Sequence, residues 1–244
     1  MINSEKIIAE FKRIKALGFI RSDKSLNRNI GNTFKNYFGV VENNYKEPYF
    51  EEFEIKAHRE LGSDITLFSL PPSHPKGANN LLKNSFGTVD NHFPELKVLS
   101  TAIYGDTFND CNGRFGFKMT IDDEAQKIRL DIKNLETDEL YEHDIYWDFD
   151  KIQAKKVKNT VIVWAESKYM NGKEFIQYTK ARIYFNFSFE KLLMGIRNGY
   201  VIFDIHMSYG KAGKMKGKAQ DQSKGFRVKK EFFKELFDQY IDLV

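Results

Sequence analysis

One cysteine among 244 residues, Cys111, leaves no partner for an intrachain disulfide and no thiolate set for a zinc cluster. The five histidines, His58, His74, His92, His143 and His206, show no metal-ligand spacing either. No apolar run approaches the roughly 20 residues that span a bilayer. The stretch from Met1 to Lys15 is charged and amphipathic, unlike a secretory signal, so a soluble, cytoplasmic protein is expected. Proline is scarce, and its five copies all fall between Pro48 and Pro94, which marks that stretch as rich in loops. No internal repeat and no linker divides the chain, which is read as a single domain.

Hydrophobic residues make up 41% and aromatics 15%, enough apolar surface for a core. The net charge is only +4, but the average hides an asymmetry. From Lys211 to Lys230 there are eight Lys or Arg and one acid, Asp221. Such a run is either a phosphate-binding stripe or a solvated loop.

Ile7, Ile8, Phe11 and Ile14 repeat at helical spacing behind Ser4, with Gly18 as the stop, and a second short helix is expected over Asn32 to Phe38. Gly77 to Asn84 reads as a third. Glu52 to His58 alternates strictly and reads as a strand, as does Ile65 to Ser69. Further strands are expected at Val98–Tyr104, Arg114–Ile121, Lys127–Ile132, Thr160–Glu166, Tyr200–Met207 and Phe226–Val228. Phe175–Phe187 reads as a strand or a hairpin. Ser188 to Ile196 and Lys230 to Ile241 read as helices, the first ending at Gly199. This order implies a mixed α/β (α+β) domain around a central mixed sheet, with Trp147, Trp164 and most phenylalanines in its core.

Along Phe53-Glu54-Ile55-Lys56-Ala57, strand alternation puts Glu54, Lys56 and His58 on one face and Phe53, Ile55 and Ala57 on the other. An acid and an amine then stand about 7 Å apart along the strand. Metal-dependent nucleases use this pairing: a carboxylate holds a hard divalent cation and a lysine assists the water or stabilises charge. The bare pattern is not specific, since Glu10-Phe11-Lys12, Glu95-Leu96-Lys97 and Asp131-Ile132-Lys133 match it too. A half-exposed strand with a surface ion pair gives the same pattern.

The surrounding order of residues adds specificity. Asn29-Ile30-Gly31-Asn32-Thr33-Phe34, Gly39, Glu42-Asn43-Asn44, Pro48-Tyr49-Phe50 and Glu54-Ile55-Lys56 follow one another. Then come Thr66-Leu67-Phe68, Pro75-Lys76-Gly77-Ala78-Asn79, Tyr146-Trp147, Ala165-Glu166-Ser167-Lys168 and Gly195-Ile196-Arg197-Asn198-Gly199. Lys216-Gly217-Lys218 and Gly225-Phe226-Arg227 end the series. In order and spacing, over nearly the whole chain, this resembles the MvaI/BcnI-type restriction endonucleases. The resemblance implies a restriction-endonuclease-like, PD-(D/E)xK-type core with a DNA-binding cleft. Residues up to about 100 would form the catalytic side and the rest the sheet and recognition side. It also implies Mg²⁺-dependent cleavage of short duplex DNA sites rich in G·C pairs by a monomer, with a cognate DNA methyltransferase as a possible partner. Glu54 would be the metal ligand and Lys56 its catalytic companion.

Two positions depart from the pattern. The family's helix glutamate falls at Lys35, and the aspartate of its Pro-Asp-Phe falls at Tyr49. A phenol is a poor ligand for Mg²⁺ and an ammonium repels it. Three explanations stand open: catalysis is lost, with Lys35 a counter-charge to the phosphate; a carboxylate has migrated to Glu47, Glu51 or Glu52; or the chain is an inactivated variant of an active enzyme.

For DNA reading, the resemblance points to the last third of the chain. Asp204 and His206 share a strand face, and Asp221 and Arg227 frame the end of the basic loop. Arginine pairs with guanine and aspartate accepts from cytosine N4. The alternative for Arg227 is a strand residue paired with a neighbouring acid. Lys211, Lys214, Lys216 and Lys218 are expected on phosphates, with glycines bending the loop. Lys76, Arg59 and His58 are expected to flank the catalytic strand.

Overall fold

The computed structural model describes residues 2–22, 29–38, 53–59, 64–210, 214, 216 and 219–243, with the side chains of 2, 3, 29 and 219–224 left aside. In chain order the elements are α1 (Ile2–Ala16), β1 (Ile20–Arg21), α2 (Asn29–Tyr37), β2 (Phe53–Arg59), β3 (Ile65–Phe68), α3 (Ala78–Phe86) and β4 (Thr88–Val89). Next come β5 (Lys97–Ile103), β6 (Asn109–Asp110), β7 (Phe115–Asp122), β8 (Lys127–Asn134), β9 (Tyr146–Asp148), α4 (Phe149–Gln153), β10 (Asn159–Met170) and β11 (Lys173–Phe187). The chain closes with α5 (Phe189–Arg197), β12 (Val201–Tyr209), β13 (Ala219–Val228), a 3₁₀ helix (Lys230–Leu236) and β14 (Phe237–Leu243). It is a mixed α+β protein, as the sequence implies. The residues group into two compact units, each assembled from separate stretches of chain.

The first unit takes in residues 1–63, 158–188 and 237–244 and holds one sheet of order β1-β11-β10-β2, with β14 also on β11. β2 runs parallel to β10, while β10 and β11 form a long antiparallel hairpin, so the sheet is mixed. The alternation of β2 decides its orientation. Phe53, Ile55 and Ala57 face a core with Val161, Val163 and Ile183, covered by Ile7, Phe11 and Ile14 of α1 and by Ile30 and Phe34 of α2. α2 is fastened at its start, where the buried Tyr178 hydroxyl donates to the Ile30 carbonyl at 2.7 Å. One turn on, Phe34 meets the edge of the Tyr178 ring at 4.9 Å. Full burial of a side chain like Phe34 contributes about 1.5–3 kcal/mol.

The second unit takes in residues 64–157 and 189–236. It holds a sheet of order β3-β13-β12-β5-β4 and a second, antiparallel sheet of order β6-β7-β8-β9. Trp147 lies at the centre of its core, 4.7 Å from the Phe203 ring and 5.7 Å from that of Phe226, and its indole N–H donates to the Leu70 carbonyl. Gly225 is where β13 crosses closest to β3: a Cβ there would stand 2.5 Å from the Phe68 carbonyl oxygen. Trp147 is therefore core, as expected, whereas Trp164 is only half-buried.

The C-terminal stretch departs from expectation. In place of a helix over Lys230–Ile241, a short 3₁₀ turn leads into β14, which pairs antiparallel with β11 from Phe237↔Phe187 to Leu243↔Ala181. The open edge of β11 offers a row of backbone partners, and this outweighs the helical spacing. Phe175–Phe187 is not a hairpin in itself; it is most of one 15-residue strand whose hairpin partner is β10. β13 begins well before the expected Phe226, at Ala219, because β12 templates it.

Candidate functional site

In the first unit, β2 carries the acid and the amine on the face turned away from the α1/α2 core. The Lys56 ammonium donates to Glu54 Oε1 at 2.9 Å, with the Glu54 side chain 46% exposed and that of Lys56 16%. With its acid half exposed, this ion pair contributes little to stability, about 0–1 kcal/mol. In register on β10 stand Thr160 beside Glu54, Ile162 beside Lys56 and Trp164 beside His58. Lys35 sits half-buried on α2, one helical turn after Gly31, where an added Cβ would stand 3.9 Å from the Ala57 side chain of β2. Tyr49, Glu47, Glu51 and Glu52 lie outside the described residues. Among the described residues, no group of three or more His, Cys, Asp or Glu gathers as a metal centre.

In the second unit, three of the expected DNA readers meet. Ile202, Asp204 and His206 alternate onto one face of β12, and Arg227 of β13 pairs with Ile202 on that face. Asp204 is only 4% exposed. One of its oxygens accepts from Arg227 Nη1 at 2.5 Å and the other lies 3.0 Å from His206 Nε2. His206 Nδ1 is 2.5 Å from Ser100 Oγ on β5, and Arg227 Nε donates to Thr66 Oγ1 on β3 at 3.3 Å. The chain Thr66–Arg227–Asp204–His206–Ser100 thus crosses four strands of one sheet. A buried carboxylate costs several kcal/mol to desolvate unless it is paired, and Arg227 and His206 are among the partners that offset this here. The pairing of Arg227 with a neighbouring acid, one of the two alternatives left open by the sequence, is realised. Its guanidinium remains partly exposed, and Nη2 has no partner among the described residues.

The remaining candidates are scattered or only partly described. Asp221 pairs through its backbone with Met207, and its side chain is not described. Lys216 forms an isolated bridge with Gly210 and is exposed, as is Lys214; Lys211 and Lys218 lie outside the described residues. Lys76 is exposed just before α3. Arg59 is committed to a 2.7 Å ion pair with the buried Glu174.

The family model for MvaI/BcnI restriction endonucleases matches residues 8–237. The chain belongs to the MvaI/BcnI restriction endonuclease family. Its structure is similar to that of the restriction endonuclease MvaI in complex with its cognate DNA substrate, at a TM-score of 0.82 and 29% identity, over 98% of this chain and 97% of that one. It is also similar to MvaI in the absence of DNA, at a TM-score of 0.64, with the same identity and coverage. None of the curated proteins matches the chain.

Sequence reasoning missed Ser100 and Thr66. The signal is present in part: Ser100 is a polar residue at the outward parity of a strand whose Leu99 and Ile103 are buried. What the sequence does not contain is the register that sets Ser100 opposite His206 and Thr66 opposite Arg227.

Proposed function

We propose that this chain works in the cytoplasm as a monomeric type II restriction endonuclease. It binds a defined double-stranded DNA sequence and hydrolyses its phosphodiester bonds with Mg²⁺, beside a cognate methyltransferase that protects the host. The observation that supports this best is the acid–amine pair of Glu54 and Lys56 on the outward face of β2, in a chain that matches the family over residues 8–237. No helix among the described residues is long and apolar enough to cross a membrane.

The described donor set fits one coordination position of a hard cation: Glu54 supplies carboxylate oxygen at an exposed place, and Mg²⁺ takes oxygen ligands. Further ligands are sought in Glu47, Glu51 or Glu52. When bound, the ion lowers the pKa of a water and neutralises charge on the phosphate under attack. Lys56 stands beside Glu54, and its ammonium is the group on this face suited to a phosphate oxygen. Arg227 presents its free edge to a guanine while Asp204 fixes its angle, and Lys216, Lys218 and Lys76 take phosphates. Asp221 and His206 complete the reading set. On this reading the first unit carries the chemistry and the second the recognition, within one functional domain.

A second reading has its own support. Lys35 places a positive charge where the family carries an acid, and Tyr49 a phenol, which favours a sequence-specific DNA-binding protein without cleavage. The test is incubation of the purified protein with plasmid DNA and Mg²⁺ or Mn²⁺, beside the Lys35→Glu/Tyr49→Asp variant. The variant is expected to cut at least about a hundredfold faster, since even outer-shell partners of a metal are worth about 10–100-fold. Equal rates overturn the account of the missing ligands. A wild-type chain that binds one sequence without cutting it fits the second reading, and one that binds no duplex refutes both.

A further inference from the structure

The hairpin of β10 and β11 outlasts its neighbour β2. β2 ends at Arg59, level with Ala165, but β10 continues through Glu166, Ser167, Lys168 and Tyr169 to Met170. At strand rise, those five residues carry the hairpin about 16 Å past the end of β2.

Its stem is braced. The buried Glu174 carboxylate pairs with Arg59 at 2.7 Å, and its carbonyl accepts from Ser22 N at 2.9 Å. The Lys168 ammonium lies 3.7 Å from the centre of the Phe19 ring, and β1 pairs with Phe175 and Ile176. The tip turns tightly through Asn171 and Gly172, at φ 50 and 70, the left-handed pair of a two-residue type I′ turn.

The tip itself is bare, with Tyr169 71% and Met170 40% exposed. Register puts Lys168, Met170 and Lys173 on one face, so the thioether stands between two ammonium groups. Arg21, also exposed, lies beside Phe175 on the neighbouring strand. Among the described residues of the hairpin, Glu174 beside the turn is paired with Arg59, and the exposed Glu166 lies four residues before Met170. A rigid prong with Met170 between two cations on one face and Tyr169 exposed on the other complements a polyanion that has apolar base edges in its grooves. A two-stranded β-ribbon fits the ~12 Å major groove.

We propose that this prong grips duplex DNA outside the cleaved site, its tip entering the groove with Lys168, Met170 and Lys173 toward one wall, the lysines on phosphates, and Tyr169 toward the other. The inference rests on the DNA-binding reading above and adds a contact surface to it.

The test uses the full chain, in EDTA, with a random-sequence duplex pool of about 30 base pairs, roughly 100 Å long. The variants are Tyr169→Ala/Met170→Ala and Lys168→Gln/Lys173→Gln. The lysine pair is expected to flatten the slope of log K against log salt by about 2, at about 0.9 per phosphate. The apolar pair is expected to weaken binding about tenfold and leave the slope unchanged. The apolar pair is expected to melt like the wild type and the lysine pair within a few degrees of it, since only the exposed Lys168–Phe19 contact is lost, which sets both apart from structural lesions. If the wild type binds and both variants match it in affinity and slope, the prong is overturned and the DNA-binding reading survives. If the wild type binds no duplex, both fall. A wild-type dimer in sedimentation that Tyr169→Ala/Met170→Ala dissociates assigns the tip to a second copy of the chain and overturns the proposal.

Discussion

Replacing Asp204 tests whether the network on β12 is a built support. Asp204 is nearly inaccessible, and each of its oxygens is engaged, one by Arg227 at 2.5 Å and one by His206 at 3.0 Å. Hydrogen bonds to charged groups contribute about 1.5–3 kcal/mol each, and removing one member of a buried pair costs about 3–5 kcal/mol. Arg227 and His206 both reach solvent, so water recovers part of the loss, and Asp204→Ala is expected to cost about 2–4 kcal/mol. Asp204→Asn is expected to cost less, about 1–2 kcal/mol. Its carbonyl still accepts from Arg227, and its amide donates to His206 Nε2 once the imidazole carries its proton on Nδ1 and donates to Ser100. Urea unfolding of the two variants, with an unchanged m-value, measures both numbers. A cycle with Arg227→Ala adds the coupling: the double variant should fall short of the summed single losses by about 1–3 kcal/mol. An Asp204→Ala loss under about 1 kcal/mol, or strict additivity with Arg227→Ala, refutes the network as drawn.

Two further outcomes follow from the same structure. Arg227→Ala should flatten sequence preference across a duplex library, whereas Lys216→Ala should weaken every sequence alike and reduce the salt slope by about 1; equal loss on all sequences with Arg227→Ala argues against a base contact. His143, whose Nδ1 is buried without a partner, has its pKa pushed below the ordinary 6.5 by burial, against the pull of Asp131 and Asp144. The unfolded chain therefore binds more protons, and stability falls as pH drops through 6.5 until the folded-state value is passed. His143→Gln should lose less stability between about pH 7.5 and about pH 5.5 than the wild type does in thermal melts, and an identical loss removes His143 as a source of that dependence.

The legible parts of the fold are those written in short-range periodicity. Glu52 to His58 alternates so strictly that the core face of β2, with Phe53, Ile55 and Ala57, is readable from residue types alone. The two helices on that core are readable too, α1 from Ile7, Phe11 and Ile14, and α2 in the segment expected over Asn32 to Phe38, although it begins earlier, at Asn29. The C-terminal segment misleads because Phe232, Phe233, Leu236 and Phe237 satisfy a helical period, while the edge of β11 that captures residues 237–243 lies some fifty residues earlier. The same limit hides half of the β12 network. Asp204, His206 and Arg227 announce themselves by type, but Ser100 and Thr66 look like ordinary strand polars until register places them.

Both polar constellations rest on one rule of strand geometry, and this makes them fragile in the same way. Side chains alternate with a period of two, so a one-residue slip moves every side chain to the opposite face. In β2 a slip would drive Glu54 and Lys56 in among Ile7, Phe11 and Phe34 and expel Phe53 and Ile55. In β12 it would bury His206 among Trp147 and Phe226 and expose Phe203, Ile205 and Met207. Neither charged set can be accommodated in an apolar core without several kcal/mol of desolvation. The hydrophobic alternation that folds each sheet is therefore also what aims its polar residues. A single-residue insertion inside either strand would remove stability and site together, while an insertion of the same size at the Asn171–Gly172 turn leaves both registers intact.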